Sequence, residues 1–278
     1  MLNTPSRLAQ RLPAIAMLAA VMAISGCQKE SEPTTPNQPT DTQRSDTETT
    51  DNQANTTSVD ANADAPTDMQ VNDAPITILA LGDSLTEGLG VDKDDNYPAQ
   101  LEDRLQAMGY KNTEVVNSGL SGETSTGLVN RLDWVLQTKP DVTILTIGAN
   151  DAIRGIDVAT IEANIRTAVK RLQDNGSVVI LGGMSIYDNL GDDYVAAFSD
   201  IYPRVAKDMN VPLIPFFLEG VGGDAELNQA DAIHPTKEGY TIIVNDNILP
   251  ILEPTLQEVT AAESSQADTT KNTTNEST

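Results

Sequence analysis

Between about Pro75 and Pro254, short apolar runs alternate with stretches in which large apolar residues return every three or four positions. Ile76-Thr77-Ile78-Leu79-Ala80-Leu81 ends at Gly82, the pattern of a strand buried on both faces. Val115-Val116, Val142 to Ile147, Val178 to Leu181 and Leu213-Ile214 form similar runs. Between them, Leu101, Leu105 and Met108 follow helical spacing with Gly109 as a stop. Ile161, Ile165, Val169 and Leu172 repeat that spacing behind Asp157, placed to cap the helix start. Trp134, with Leu132 and Leu136 close by, reads as helix packing. Strands separated by helices predict an α/β layer structure around a parallel sheet, with the loops after the strands gathered along one edge by right-handed crossovers.

The flanks have a different character. Arg7 and Arg11 precede an apolar run from Ala14 to Ile24 and then Ser25-Gly26-Cys27. The run is shorter than the roughly 20 residues a permanent span needs, so residues 1–26 read as an export signal. Cys27 is the only cysteine and has no partner within the chain. Residues 27–74 are rich in Ser, Thr, Asn, Asp, Gln and Pro and predict a disordered acidic tether, because little apolar surface is available to offset chain entropy. Residues 255–278 share that composition and are expected to be a disordered tail. The domain is thus bounded at 75–254. The formal charge is −24, and it becomes −26 without the signal, because two arginines leave and no acid does. Such a balance argues against nucleic-acid binding.

Chemistry is constrained by His234, the chain's one histidine. Apart from the amino terminus, only imidazole has an ordinary pKa near neutrality, so a mechanism with an imidazole base must use this side chain. Asp231 precedes it by three residues, near enough to hold one ring nitrogen in a turn. Far upstream, Gly82-Asp83-Ser84-Leu85 follows the first strand and would expose the Ser84 hydroxyl at the sheet edge. Serine, histidine and aspartate in this arrangement predict nucleophilic acyl transfer. The Ser84 amide, Gly122 in Ser121-Gly122-Glu123-Thr124, and the Asn150 side chain in Gly148-Ala149-Asn150-Asp151 are candidate oxyanion donors. Taken singly, each has a plainer alternative: a turn serine or helix cap, a turn glycine, a loop asparagine bonded to its own backbone, a capping aspartate. Their common position on loops at strand ends favours a site.

These four ordered blocks resemble the SGNH-hydrolase, or GDSL esterase, superfamily. Asn150-Asp151-Ala152-Ile153-Arg154-Gly155, with Ile201-Tyr202-Pro203 and Val211-Pro212-Leu213-Ile214-Pro215-Phe216-Phe217, resembles its multifunctional thioesterase, lysophospholipase and arylesterase branch. The resemblance spans about Ile76 to Leu252. It implies a three-layer α/β/α sandwich on about five parallel strands, a flavodoxin-like SGNH fold. It also implies hydrolysis of small acyl esters or thioesters by Ser84, His234 and Asp231 without cofactor or metal. Ile24-Ser25-Gly26-Cys27 resembles a bacterial lipobox, which implies diacylglycerol attachment at Cys27. With Gln28 next, it further implies an exported protein held to the outer membrane. A monomer is expected.

A G-x-S-x-G elbow is absent, as are Walker and dinucleotide fingerprints. One histidine and one cysteine are too few for the usual nitrogen and sulfur ligand set of a zinc site. Asp92-Lys93-Asp94-Asp95-Asn96 lacks the glycine and distal glutamate of a calcium loop and reads as a solvated loop near the site entrance. Two rivals stand beside the esterase: a carbohydrate or peptidoglycan deacetylase on the same scaffold, and a non-catalytic lipid-anchored binding module.

Overall fold

The computed structural model describes residues 74–275, with side chains through residue 262. The export signal, Cys27 and most of the tether fall outside the described residues.

Five parallel strands form one sheet in the order β2-β1-β3-β4-β5. They are β1 (Ile76–Gly82), β2 (Thr113–Gly119), β3 (Val142–Thr146), β4 (Val178–Gly182) and β5 (Leu213–Ile214). Every residue of central β3 is buried, whereas edge strand β2 is largely half-buried. That difference explains why β2 runs well beyond Val115-Val116: an edge strand needs no continuous apolar run. The helices are α1 (Ser84–Glu87), α2 (Tyr97–Ala107), α3 (Ser125–Val135), α4 (Ala149–Ile153), α5 (Val158–Asp174), α6 (Asp192–Ser199), α7 (Ile201–Met209), α8 (Lys237–Ile242) and α9 (Leu249–Asn275). One layer is built by α3 packing on α5 and α5 on α7, with α5 and α7 against β4. On the other face lie α2, α8 and α9, joined through a wide π-type turn at Ile243–Ile248. Pro250, just beyond that turn, lacks an N–H and crowds the carbonyl four residues earlier, a recognised cause of local helix widening. This is the three-layer sandwich expected, with the flavodoxin-like strand order.

Two expectations shift. The folded part does not end at residue 254 with a disordered tail after it: α9 continues to Asn275, with Thr255 and Leu256 buried. Leu249, Leu252 and Leu256 form one buried stripe, and Val259 packs against it. Each buried leucine contributes about 2 kcal/mol, so the stripe outweighs the roughly 3 kcal/mol cost of an internal proline. Trp134 lies on α3 but is 69% exposed, because Leu128, Leu132 and Val135 occupy the inward face; it neither packs in the core nor lines the cavity described below.

The register sets the site. Gly82, the last residue of β1, pairs with Gly119 of β2 and Thr146 of β3, so three loops leave the sheet at one level. A Cβ on Gly82 would sit 2.4 Å from the Thr146 carbonyl, and one on Gly119 would sit 2.0 Å from the Glu87 nitrogen. Only glycine lets these strand ends and α1 approach so closely.

Candidate active site

Ser84 opens α1, a single turn capped by Asp83, whose carboxylate accepts the Leu85 N–H at 3.1 Å. The His234 ring meets the serine from the other end of the chain. Its Nε2 lies 2.8 Å from Ser84 Oγ, and its Nδ1 lies 2.6 Å from Asp231 Oδ2. Asp231 Oδ1 also accepts the N–H groups of Ile233 and His234, each at 3.0 Å. These hydrogen bonds, the His234 N–H first and its ring next, hold the Asp231 carboxyl down at about 2. The acid is therefore ionised across the neutral range and fixes the proton of neutral imidazole on Nδ1, leaving the Nε2 lone pair facing the serine.

What brings groups 150 residues apart together is a set of contacts around α1. The buried Tyr240 hydroxyl of α8 donates to the Leu85 carbonyl at 3.0 Å, and Gln229 Nε2 donates to the Leu89 carbonyl at 2.7 Å. The loop of residues 231–234 between them is closed at its base by an antiparallel bridge of Asn228 with Pro235, and the Gln229 N–H donates to the His234 carbonyl at 2.7 Å. Thr236 then caps α8 as its sequence position suggests.

Asn150 sits in the first turn of α4, and its Nδ2 donates to Asp83 Oδ2 at 3.2 Å. Its amide is thus aimed by the residue preceding the serine, not by its own backbone. Asp83 is only 2% exposed. Burial raises its carboxyl from the usual carboxylate range to about 6, against the opposing pull of the Leu85 and Asn150 hydrogen bonds. Asp151, fully buried, accepts the Ser125 N–H at 2.7 Å and the Ser125 hydroxyl at 2.6 Å, locking α4 to α3. Gly122 adopts the left-handed region (φ 73°), and its carbonyl accepts from Arg154 Nη2 at 2.8 Å. That contact ties the Gly122 loop to the end of α4, although Gly122 itself does not line the cavity. Beneath this loop Arg131 grips the buried Glu123 and donates to the Ser118 hydroxyl and carbonyl at 2.7 and 2.8 Å. The bonds of Asp83 to Asn150 and of Asp151 to Ser125 escape a reading of spacing, since each joins residues distant in sequence.

A cavity of about 730 Å³ opens beside the serine, within the usual range for small-ligand sites. Asp83, Ser84, Asn150 and His234 form its reactive end. Apolar side chains, among them Leu85, Ile153, Met184, Ile186, Leu190, Phe216 and Leu218, form much of the rest. None of residues 92–96 lines the cavity: Asn96 is buried and caps α2, and Asp95 pairs with Lys237 at 2.7 Å.

The description of the GDSL-like Lipase/Acylhydrolase family matches residues 80–242. The chain belongs to this family. Its relatives include Esterase TesA of Pseudomonas aeruginosa, 38% identical over 181 residues and covering 65% of this chain and 89% of that protein. Thioesterase 1/protease 1/lysophospholipase L1 of Escherichia coli K12 is 35% identical over 170 residues, covering 61% of this chain and 80% of that protein. The crystal structure of the psychrotrophic esterase EstA from a Pseudoalteromonas species, inhibited by monoethylphosphonate, superposes with a TM-score of 0.61. It is 31% identical and covers 65% of this chain and 98% of that one. The family match spans β1 through α8 and therefore contains every loop that builds the cavity.

Proposed function

We propose that the protein is a serine ester hydrolase that cleaves acyl esters or thioesters through an acyl-enzyme. The single observation that carries this reading is the continuous chain from Ser84 Oγ through both His234 nitrogens to an ionised Asp231. His234 Nε2 takes the hydroxyl proton as Ser84 Oγ bonds to the substrate carbonyl carbon. The resulting oxyanion is met by the Asn150 amide and the Ser84 backbone N–H at the cavity, and the Gly122 N–H is proposed to join them from the neighbouring loop that Arg154 ties to α4. Collapse breaks the bond to the alcohol or thiol, which leaves with the proton from imidazolium. Water repeats the sequence on the acyl-serine and releases the carboxylic acid.

The largely apolar lining beyond the reactive end favours an acyl chain over a sugar, which would leave polar hydroxyls without partners. Names of relatives such as thioesterase and lysophospholipase agree with this class. The sequence at Ile24 to Cys27 supports attachment of the enzyme by lipid to the bacterial envelope, with the acidic tether as spacer. A lipid label on wild-type protein and none on Cys27→Ser is the expected result. For the chemistry, initial rates on an aryl acyl ester, an acyl thioester and an acetylated sugar should show the first two hydrolysed. Ser84→Ala and His234→Ala should abolish those rates in folded protein; wild-type rates in both variants contradict the proposal.

A further inference from the structure

The catalytic loop has an unusual feature at its tip. Ala232, between Asp231 and Ile233, holds the left-handed conformation (φ 58°), which disfavours residues with a Cβ. The tip is exposed to solvent: Asp231, Ala232 and Ile233 are all exposed. At its base the loop is held by its own backbone bonds and by Gln229. Among the described residues, the side chain from outside the loop that reaches the backbone of the tip is Tyr187, whose hydroxyl donates to the Ala232 carbonyl at 3.0 Å.

Tyr187 belongs to the segment that follows β4, and it lines the same cavity as Ile233. Tyr187 is 59% exposed, so burial does not fix its ring, and its hydroxyl is anchored at the Ala232 carbonyl. We propose that Tyr187 is a positioning residue for His234 and, through the same bond, a determinant of acyl-group selectivity. This rests on the reading of Ser84, His234 and Asp231 as the catalytic groups. The hydroxyl restrains Ala232, one residue from the aspartate that holds the imidazole, and so limits departures of Nε2 from the serine. Because the ring is also part of the cavity wall, a bulky acyl group that displaces it must break the bond and loosen the loop. A small acyl group leaves both in place.

The test compares full-length wild type, Tyr187→Phe, Tyr187→Ala and Trp134→Phe on p-nitrophenyl acetate and p-nitrophenyl dodecanoate. A parallel measurement is the rate of labelling by a fluorophosphonate, which needs His234 but no acyl chain. For Tyr187→Phe, kcat on the acetate falls about fivefold, as expected for loss of one hydrogen bond, with KM within twofold. The labelling rate falls in parallel, and the dodecanoate-to-acetate ratio of kcat/KM rises at least threefold. Tyr187→Ala gives the same or larger changes, and Trp134→Phe, distant from the cavity, leaves the ratio as in wild type. Phenylalanine values of kcat, labelling rate and ratio all within twofold of wild type overturn the proposal. Wild-type protein that neither hydrolyses the esters nor takes the label instead removes the hydrolase reading on which it stands.

Discussion

Asp83→Asn separates stability from catalysis at the same residue. The Asp83 carboxyl is buried and raised from 3.8 to about 6, a shift that corresponds to about 3 kcal/mol. A carboxyl whose folded pKa is raised contributes fully below the unfolded value near 4. That contribution is lost as pH rises through about 6, because the unfolded state releases the proton first. Ionised Asp83 is therefore a burden of about 3 kcal/mol at pH 7.5 that is absent at pH 3.5. Asparagine removes the charge and can still cap α1 through Leu85, but it places an amide against the Asn150 amide. Losing that hydrogen bond costs about 1 kcal/mol. The net expectation is stabilisation by about 2 kcal/mol at pH 7.5, or roughly 4–8 °C in Tm for a domain of this size. The assay is thermal unfolding of wild type and variant at pH 3.5 and 7.5, taken as a difference of differences so that other titrating groups cancel. In the same variant, kcat should fall at least tenfold, because Asn150 is no longer held toward the oxyanion. A variant less stable than wild type at pH 7.5, or a pH dependence of Tm equal to that of wild type, refutes the argument.

Arg154→Ala should lower kcat about five- to tenfold with KM nearly constant, since Arg154 holds the Gly122 loop against the end of α4 and the Gly122 N–H is the proposed third oxyanion donor; steady-state kinetics check the split. Asp231→Asn should lower kcat on the order of a thousandfold by freeing the wrong imidazole tautomer. It should also flatten the acid end of the stability profile: a carboxyl depressed to about 2 stabilises the fold above pH 4 and loses that contribution as pH falls through 2, as urea titrations between pH 2 and 5 will show. Leu256→Ala should destabilise by about 2–4 kcal/mol, measured by urea unfolding, because this side chain, two residues beyond Pro254, is fully buried.

The sheet was legible because central strands buried on both faces write themselves as apolar runs: Ile76 to Leu81 and Val142 to Ile147 match β1 and β3 within a residue. β2 was legible only at Val115-Val116, since Glu114 and Asn117 are exposed and Ser118 is half-buried, positions where an edge strand tolerates polar residues. The candidate site was legible as a set because the chain has one imidazole and the other candidates fell on strand-end loops. The structure places Ser84, Asn150 and His234 on one cavity with Asp231 behind the imidazole, and it leaves Gly122 on a neighbouring loop. Long-range support was not legible. No local pattern indicates that Asp83 takes Asn150, that Asp151 takes Ser125, or that Tyr187 reaches Ala232, because these bonds depend on the register of β1 with β3 and on loop paths set by packing. The extent of α9 was obscured by Pro254, a strong local stop signal overridden by the burial of Leu252 and Leu256.

The most direct measurement is the site of covalent capture. Full-length protein treated with a fluorophosphonate at neutral pH and mapped by peptide mass spectrometry should carry one adduct, on Ser84. Labelling of His234→Ala should be slower by at least a hundredfold at unchanged folded content. An adduct on a different residue, or equal labelling rates with and without the imidazole, contradicts the assignment of Ser84 and His234 as nucleophile and base.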